Sequence, residues 1–571
     1  MHPLTKVPIV IGSVLVLTVS SLLWNLNAHR RRFRALVLAI SAPPTWFAAN
    51  CFQPKPPHNF LFGHLVLLFR ITKQLPGTPP IAAVLSVIQS QYKLPDVFYL
   101  DLWPIVPDPF LVTGDLAVAD RFLTDYTRHP SVLKVALQAL TGGTRGLVSS
   151  DMSEWYSSRT AIRTVFSVTN VQRFVPDMAQ YSMELRAALL RHAKTGRRFP
   201  MIEPIEKWGA DLTFRFLLGE DAAVQQGGWG AQINADVQTL IAQIDSPVSW
   251  NPWTYRERKK ALSCSKERVR SKIRTAFNDA LRKERPAARN QFVPLLDSLT
   301  AKYVEEYPGR KDWDADTMAQ HLDTMVTMFL AADVSSMYVF CHVAQDPAVA
   351  AELRKEHNAV FPGDADATLE AIRQNPGKIK ELPYTTAVIK ESMRLRPPGL
   401  SPTIAPKGRD GNADLSIFFL GKYLTMKEWN ILWREKWYGT PPSVTLLASS
   451  SNYSSNAQLF TSLLRLQSNS SYISSPFTFD PTRWLPTPSS QLADAWRPFQ
   501  RGRHSCMGEN MMMPGLVIAL LLTVRDIDVA LAYDDNDVSL SPELGGVAWM
   551  DGSFAAKPAK GLPVTVKGLL N

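Results

Sequence analysis

Residues 498–522 read PFQRGRHSCMGENMMMPGLVIALLL. Within this stretch Cys506 is one of four cysteines, the others being Cys51, Cys264 and Cys341. None lies near another, which excludes a CxxC zinc pattern and a disulfide framework. Arg501, Arg503 and His504 come just before Cys506, and an apolar helix is predicted just after it, over 509–524. Nearby cations and a helix N-terminus both favour thiolate over thiol. Gly502 and Gly508 flank the cysteine and let backbone approach a flat ligand closely. A lone thiolate with no second ligand at metal spacing suits one axial bond to a haem iron, not a zinc tetrahedron. The other reading is a buried structural cysteine, the commoner fate of any single thiol. These residues alone leave both readings open.

Three further motifs, taken with this one, close the choice. FQRGRHSCMG (499–508) resembles the cysteine-ligand loop FxxGxxxCxG of cytochrome P450 monooxygenases. KESMRLRPP, with Glu391 and Arg394, resembles the ExxR helix of that family. FTFDPTRW, with Phe479, Pro481 and Arg483, resembles the loop whose arginine joins that pair. SEWYSSR, with Trp155 and Arg159, resembles the WxxxR helix beside a haem propionate. The four occur in the family's order, and the resemblance extends from about 54 to 567 apart from one interval. It implies a mainly α fold with small β-sheets, haem b as cofactor and Cys506 as the axial iron ligand. It further implies that Arg159 and His504, with Trp155, bind the propionates, and that Phe499 shields the sulfur. Glu391 and Arg394, three apart on one helical face, would form a buried set with Arg483 that holds the cysteine loop in one geometry. The family more often has Arg at the His504 position.

The stretch TMFLAADVSS (327–336) aligns with the oxygen-activation helix of the family. Asp333 takes the place of the acid and Ala331 that of the usual glycine. Val334 stands where a threonine is usual and has no hydroxyl, so Ser335 is the substitute in a proton relay with Asp333. The implied activity is insertion of one oxygen atom from O2 into an apolar small molecule, by hydroxylation or epoxidation. Electrons would come from NADPH through NADPH–cytochrome P450 reductase. The wording around the motifs is most similar to fungal members that tailor secondary metabolites such as polyketides. A non-catalytic relative, impaired by Val334, and a haem-thiolate peroxygenase or isomerase are the competing functions.

One interval departs from the family. Arg394 and Phe479 are 85 residues apart, and about 409–470 resembles nothing in it. A long structureless insert in a compact domain is unusual. A translated intron or a surface insertion would explain it.

The N-terminus carries its own signal. Residues 7–26, VPIVIGSVLVLTVSSLLWNL, hold no charge and are long enough to cross a bilayer core of about 30 Å. His29, Arg30, Arg31, Arg32 and Arg34 follow, so the positive-inside rule keeps the bulk of the chain cytosolic. The basic cluster lies after the apolar run, which argues against a cleaved signal peptide. The expected organisation is a membrane anchor over 1–28, a basic and proline-rich hinge over 29–58 and a catalytic domain over 59–571. That is a single-pass protein of the endoplasmic reticulum membrane. Its partners would be lipid and the reductase.

Composition agrees with a globular body. Of 571 residues, 46% are hydrophobic and 20% charged, which excludes a mainly disordered chain. The net charge of +11 suits an anionic membrane surface. Basic segments such as 256–275 carry few interleaved aromatics, so nucleic acid is not an expected partner. No GxGxxG, GxxxxGK[ST] or GxSxG occurs, which sets aside dinucleotide, P-loop and serine-hydrolase sites. Helices are predicted over 177–193, 267–283, 316–345 and 384–395, and strands over 96–103 and 562–568.

Overall fold

The computed structural model of the chain describes residues 19–31, 33, 55–105, 110–125, 138, 140–147, 150, 152–245, 251–282, 291–331, 337–397, 401–404, 417–419, 422–424, 458–502, 504–552 and 556–569. It is mainly helical with small sheets, and the chain divides into two compact units. One gathers residues 1–74, 84–127 and 402–462, and the other holds 75–83, 128–401 and 463–571.

The first unit is organised on a four-stranded sheet. Val97–Leu100 pairs antiparallel with Phe110–Thr113, which pairs parallel with Gln458–Thr461, and Ser401–Ile404 is the fourth strand. Paired Phe98 and Val112 are buried on one face of the sheet, and paired Tyr99 and Leu111 are buried on the other. The parallel partner at 458–461 belongs to the interval that resembles nothing in the family by sequence; part of that interval is therefore sheet. A short hairpin, Ile417–Phe419 with Lys422–Leu424, is also described.

The basic flank and the hinge are packed together in this unit. Asp101 is fully buried and accepts from His29 Nε2 at 2.9 Å, His58 Nε2 at 2.8 Å and the Trp103 N–H at 3.0 Å. Arg30 Nη1 donates to the same carboxylate. Its Nε and Nη2 donate to the carbonyls of Phe60 and Leu61 at 2.6 and 3.1 Å. His64 Nδ1 accepts from the Asp101 N–H at 2.8 Å while its Nε2 donates to the Pro56 carbonyl at 3.1 Å. Two of the five basic residues that the sequence places on an anchor's flank, His29 and Arg30, are thus internal. A buried carboxylate needs such partners, because desolvating it without them costs several kcal/mol.

Among the described residues no helix is long and apolar enough to cross a membrane. Residues 7–18 of the expected anchor lie outside the described residues, and 19–26 are helical. In that stretch Leu22, Leu23 and Trp24 are exposed.

The second unit is built on long helices. Glu509–Thr523 is apolar on all sides, as a fully buried helix should be, and every residue from Gly515 to Thr523 is buried. Beside it runs Val168–Thr195, capped at one end by the Ser167 hydroxyl and ended by Gly196 at φ +61°. Pro383–Leu395 carries the ExxR pair, and Ala315–Ala331 and Met337–Gln345 lie on either side of the 332–336 stretch. The helices predicted at 177–193, 267–283, 384–395 and 509–524 are present, the first two within longer helices; of the one predicted over 316–345, Ala315–Ala331 and Met337–Gln345 are helical and 332–336 lie outside the described residues. The predicted strand at 562–568 is Pro563–Gly568, antiparallel to Ile527–Leu531.

Three histidines, two of them buried, make this unit acid-sensitive. Burial pushes His321 down to about 4, and His342 and His357 down to about 3. All three are neutral in the fold. An unfolded chain protonates its histidines near pH 6.5, so stability is full above that value and falls as acidification proceeds toward the folded values. Each histidine then removes up to about 1.4 kcal/mol per pH unit. The urea midpoint is expected to fall steeply between about pH 6 and 4. His342→Gln should flatten that slope; an unchanged slope in the variant would count against the assignment.

Candidate functional site

Cys506 lies in a tight loop ahead of the Glu509–Thr523 helix. Its N–H donates to the Phe499 carbonyl at 2.7 Å, and the Ser505 N–H donates to Gly502 at 3.2 Å. Gly502 has φ +79° and Gln500 has φ +64°, so the loop turns through left-handed backbone that glycine adopts without strain. The backbone N–H groups of Gly508 and Glu509 donate toward the Cys506 sulfur. A Cβ at position 508 would stand 3.4 Å from Sγ.

The thiol is exposed, yet burial is the largest influence on its pKa. Burial pushes the pKa up, against the two backbone donors and Arg159, which favour the thiolate. The sequence reading weighed only the cations and the helix terminus, and burial outweighs both. A metal ion reverses this balance, since a coordinating thiol is deprotonated outright.

The Trp155 helix, Met152–Ile162, meets this loop directly. Arg159 Nη2 donates to the Ser505 carbonyl at 2.9 Å and to its hydroxyl at 3.3 Å. The Trp155 and His504 rings pack with centroids 4.1 Å apart at 32°. The Arg159 guanidinium lies 5.6 Å from the Trp155 ring centroid. Sequence-distant Trp155, Arg159, His504 and Cys506 thus share one place. Phe499 is buried and is joined to Cys506 through its backbone carbonyl, with its ring edge-on to Trp496.

Behind the loop lies a charge network. Arg394 Nε and Nη2 each donate to Glu391 at 2.8 Å, and both side chains are fully buried. The Glu391 carboxylate also accepts from Trp484 Nε1 at 3.1 Å and the Asp480 N–H at 3.2 Å, and Arg483 Nε stands 3.3 Å from it. Arg394 Nη1 donates to the carbonyls of Gln467 and Pro476 at 2.9 and 2.7 Å. Both charges are therefore paired and hydrogen-bonded, the condition under which a buried ion pair is tolerated.

Gln467 carries the network to the cysteine loop. Its Nε2 donates to the carbonyls of Met393 and Arg394, both at 3.0 Å, and its Oε1 accepts from the Arg497 N–H at 2.6 Å. Arg497 is two residues before Phe499. Trp496 Nε1 ties the same segment to the Lys390 carbonyl at 3.0 Å. Sequence reasoning missed Gln467 because it fell inside the interval set aside as atypical. It also missed Trp484 and His342, whose ring stacks on Phe479 at 4.6 Å. Tryptophan at 484, next to the motif arginine, was the available signal.

Asp333, Val334 and Ser335 lie outside the described residues. Among the described residues, no cluster of His, Cys, Asp and Glu could hold a metal ion by itself. An accessible single thiol, two backbone donors aimed at its sulfur, and an arginine with a Trp–His pair alongside fit a flat anionic iron cofactor. They fit no metal ion bound by side chains alone.

Comparison with known proteins bears on this geometry. A family model described as cytochrome P450 matches residues 85–403 and 454–554. Cytochrome P450 monooxygenase polC of Polytolypa hystricis is 26% identical over 505 residues, 85% of this chain and 83% of that protein. Cytochrome P450 monooxygenase ptmJ of Penicillium ochrochloron is 26% identical over 94% of this chain and 93% of its own length. Cytochrome P450 monooxygenase BOT4 of Botryotinia fuckeliana reaches 30% identity, over 42% of this chain and 37% of its own.

Proposed function

The chain belongs to the cytochrome P450 family, as a monooxygenase, and from that premise we propose that it hydroxylates or epoxidises an apolar small molecule of fungal secondary metabolism. The observation that carries this reading is the convergence of Trp155, Arg159 and His504 on the loop that presents the accessible Cys506 thiol. Cys506 would hold haem b through its sulfur, with Arg159, His504 and Trp155 at the propionates. The bound haem supplies the activation of O2, with electron density from the thiolate favouring O–O cleavage. Gly508 and Glu509 hold the sulfur's lone pairs with their N–H groups. Phe499 keeps water from the sulfur's side of the loop, and the Glu391–Arg394–Arg483 set fixes that loop through Gln467. Asp333 and Ser335, which lie outside the described residues, would relay the protons, Ser335 serving because Val334 has no hydroxyl to give.

The electron donor is NADPH, through NADPH–cytochrome P450 reductase docked near the cysteine loop. The uncharged stretch 7–26 anchors the protein to the endoplasmic reticulum membrane, with the catalytic body cytosolic. Of the atypical stretch at about 409–470, the family match skips the residues up to 453 and covers 454–470. The transcript tests it: an mRNA that retains this stretch and yields an active protein makes it a genuine insertion.

Function is tested by comparing metabolite extracts of host cells with and without the protein, reductase co-expressed, under labelled oxygen gas. A new product carrying one oxygen atom from the gas, and only when NADPH is present, is expected. A product formed without NADPH, or with no oxygen gained, would instead indicate a peroxygenase or an isomerase.

A further inference from the structure

One side of the Ala315–Ala331 helix carries Asp316, Gln320 and Asp323 at i, i+4 and i+7. All three reach into the segment that leads to and forms the Trp155 helix. Asp323 is 2% exposed. Its carboxylate accepts from Arg270 Nη1 at 2.6 Å and from the Arg145 N–H at 3.0 Å. Arg270 Nη1 also donates to the Thr141 carbonyl at 2.9 Å. Gln320 Nε2 donates to Ser158 Oγ at 2.6 Å and to the Glu154 carbonyl at 3.3 Å. The Arg145 guanidinium bridges Glu154 at 2.9 Å and Asp316 at 2.5 Å.

The loop 141–146, TGGTRG, owes two of its three glycines, Gly143 and Gly146, to this contact. A Cβ at Gly143 would fall 1.8 Å from Asp323 Oδ1, and one at Gly146 would fall 2.9 Å from the Asp323 carbonyl. No side chain fits at either position without moving the loop or the helix. The buried carboxylate is held by a cation on one side and a backbone amide on the other, so its position is sharply defined. The loop it pins runs into the Met152–Ile162 helix, whose Ser158 and Glu154 are fixed by the same stripe.

We propose that Asp323 is a positioning residue for cofactor retention. It pins the 141–146 loop, and through that loop and Gln320 it sets the pitch of the helix that brings Trp155 and Arg159 to Ser505 and His504. The proposal rests on the haem-thiolate reading of the site, and it adds a residue outside all four sequence motifs.

The contact can be broken from either side. In purified full-length holoprotein, Asp323→Ala and Gly143→Ala are each expected to release haem to apomyoglobin at least about tenfold faster than wild type, the scale of a lost outer-shell partner. Asp323→Asn, which keeps an oxygen for the Arg145 N–H, should lie between. The haem that remains should keep its thiolate-type carbon monoxide spectrum, since Cys506 is untouched. Asp211→Asn is the control: that carboxylate is also fully buried, but it accepts from the Val224 and Gln225 N–H groups at 2.6 and 3.0 Å. It should lower the melting temperature without hastening haem release. Wild-type release rates in Asp323→Ala and Gly143→Ala, or equal acceleration in Asp211→Asn, would overturn the proposal. Amide hydrogen exchange separates this from failure of the cofactor reading. The Arg145 N–H should be protected in wild type and at least about tenfold less so in Asp323→Ala. An unprotected amide in wild type would overturn the pin itself. A wild type that binds no haem would overturn the retention role together with the haem-thiolate reading, and the exchange data would still decide the pin.

Discussion

Glu391→Ala is expected to cost about 3–5 kcal/mol, the penalty for removing one partner of a buried ion pair. That is a large share of a total stability of roughly 5–15 kcal/mol. The substitution leaves the Arg394 guanidinium fully buried with its charge uncompensated and removes the acceptor of Trp484 Nε1 and the Asp480 N–H. The damage reaches the cysteine loop, because Gln467 joins the carbonyls at the end of the ExxR helix to the Arg497 N–H. Glu391→Gln should cost less, since it keeps an acceptor oxygen while giving up the charge. The check is the urea midpoint of each variant, with haem content measured alongside. A loss below about 1 kcal/mol in Glu391→Ala, the range of an exposed pair, would mean the network is not a support.

Cys506→Ser is expected to have the opposite profile. In the haem-free protein this isosteric change at an exposed residue should alter stability by no more than about 0.5 kcal/mol, so any larger loss in the holoprotein measures the lost iron ligand. Monooxygenation should fall to background, because the hydroxyl of serine is not deprotonated by the iron as a thiol is and cannot supply the thiolate's electron push. The two variants therefore separate support from chemistry. Glu391→Ala loses the fold around the loop, while Cys506→Ser keeps the fold and loses turnover. NADPH-dependent product formation and the urea midpoint, measured on the same preparations, check both. Turnover retained in Cys506→Ser would place the iron ligand elsewhere.

What the sequence conveys here depends on how local each constraint is. The Glu509–Thr523 helix is legible because it is apolar all round, and Pro383–Leu395 because proline marks its start. Trp155, Arg159 and His504 are legible only through their motifs: no periodicity links residue 155 to residue 504, yet their rings pack at 4.1 Å. Gln467 was illegible, since a polar residue in a stretch of serine and asparagine reads as loop until its three partners are known. The strand at 458–461 was hidden for the same reason, its pairing with Phe110–Thr113 being set by contact some 350 residues away along the chain. Asp323 reads as an ordinary helix-surface acid, and its burial follows from two glycines almost 180 residues earlier. His29 and Arg30 read as an anchor's charged flank, and only Asp101 makes them internal. Burial of the Cys506 thiol, which pushes its pKa up, was likewise invisible beside the cations that the loop displays.

The most direct measurement is the absorption spectrum of the purified full-length protein, reduced and exposed to carbon monoxide. A Soret band at the shifted position of thiolate-ligated haem is expected in wild type, and its disappearance in Cys506→Ser. Colourless protein, or a band at the position given by a neutral nitrogen ligand, would contradict Cys506 as the iron's partner.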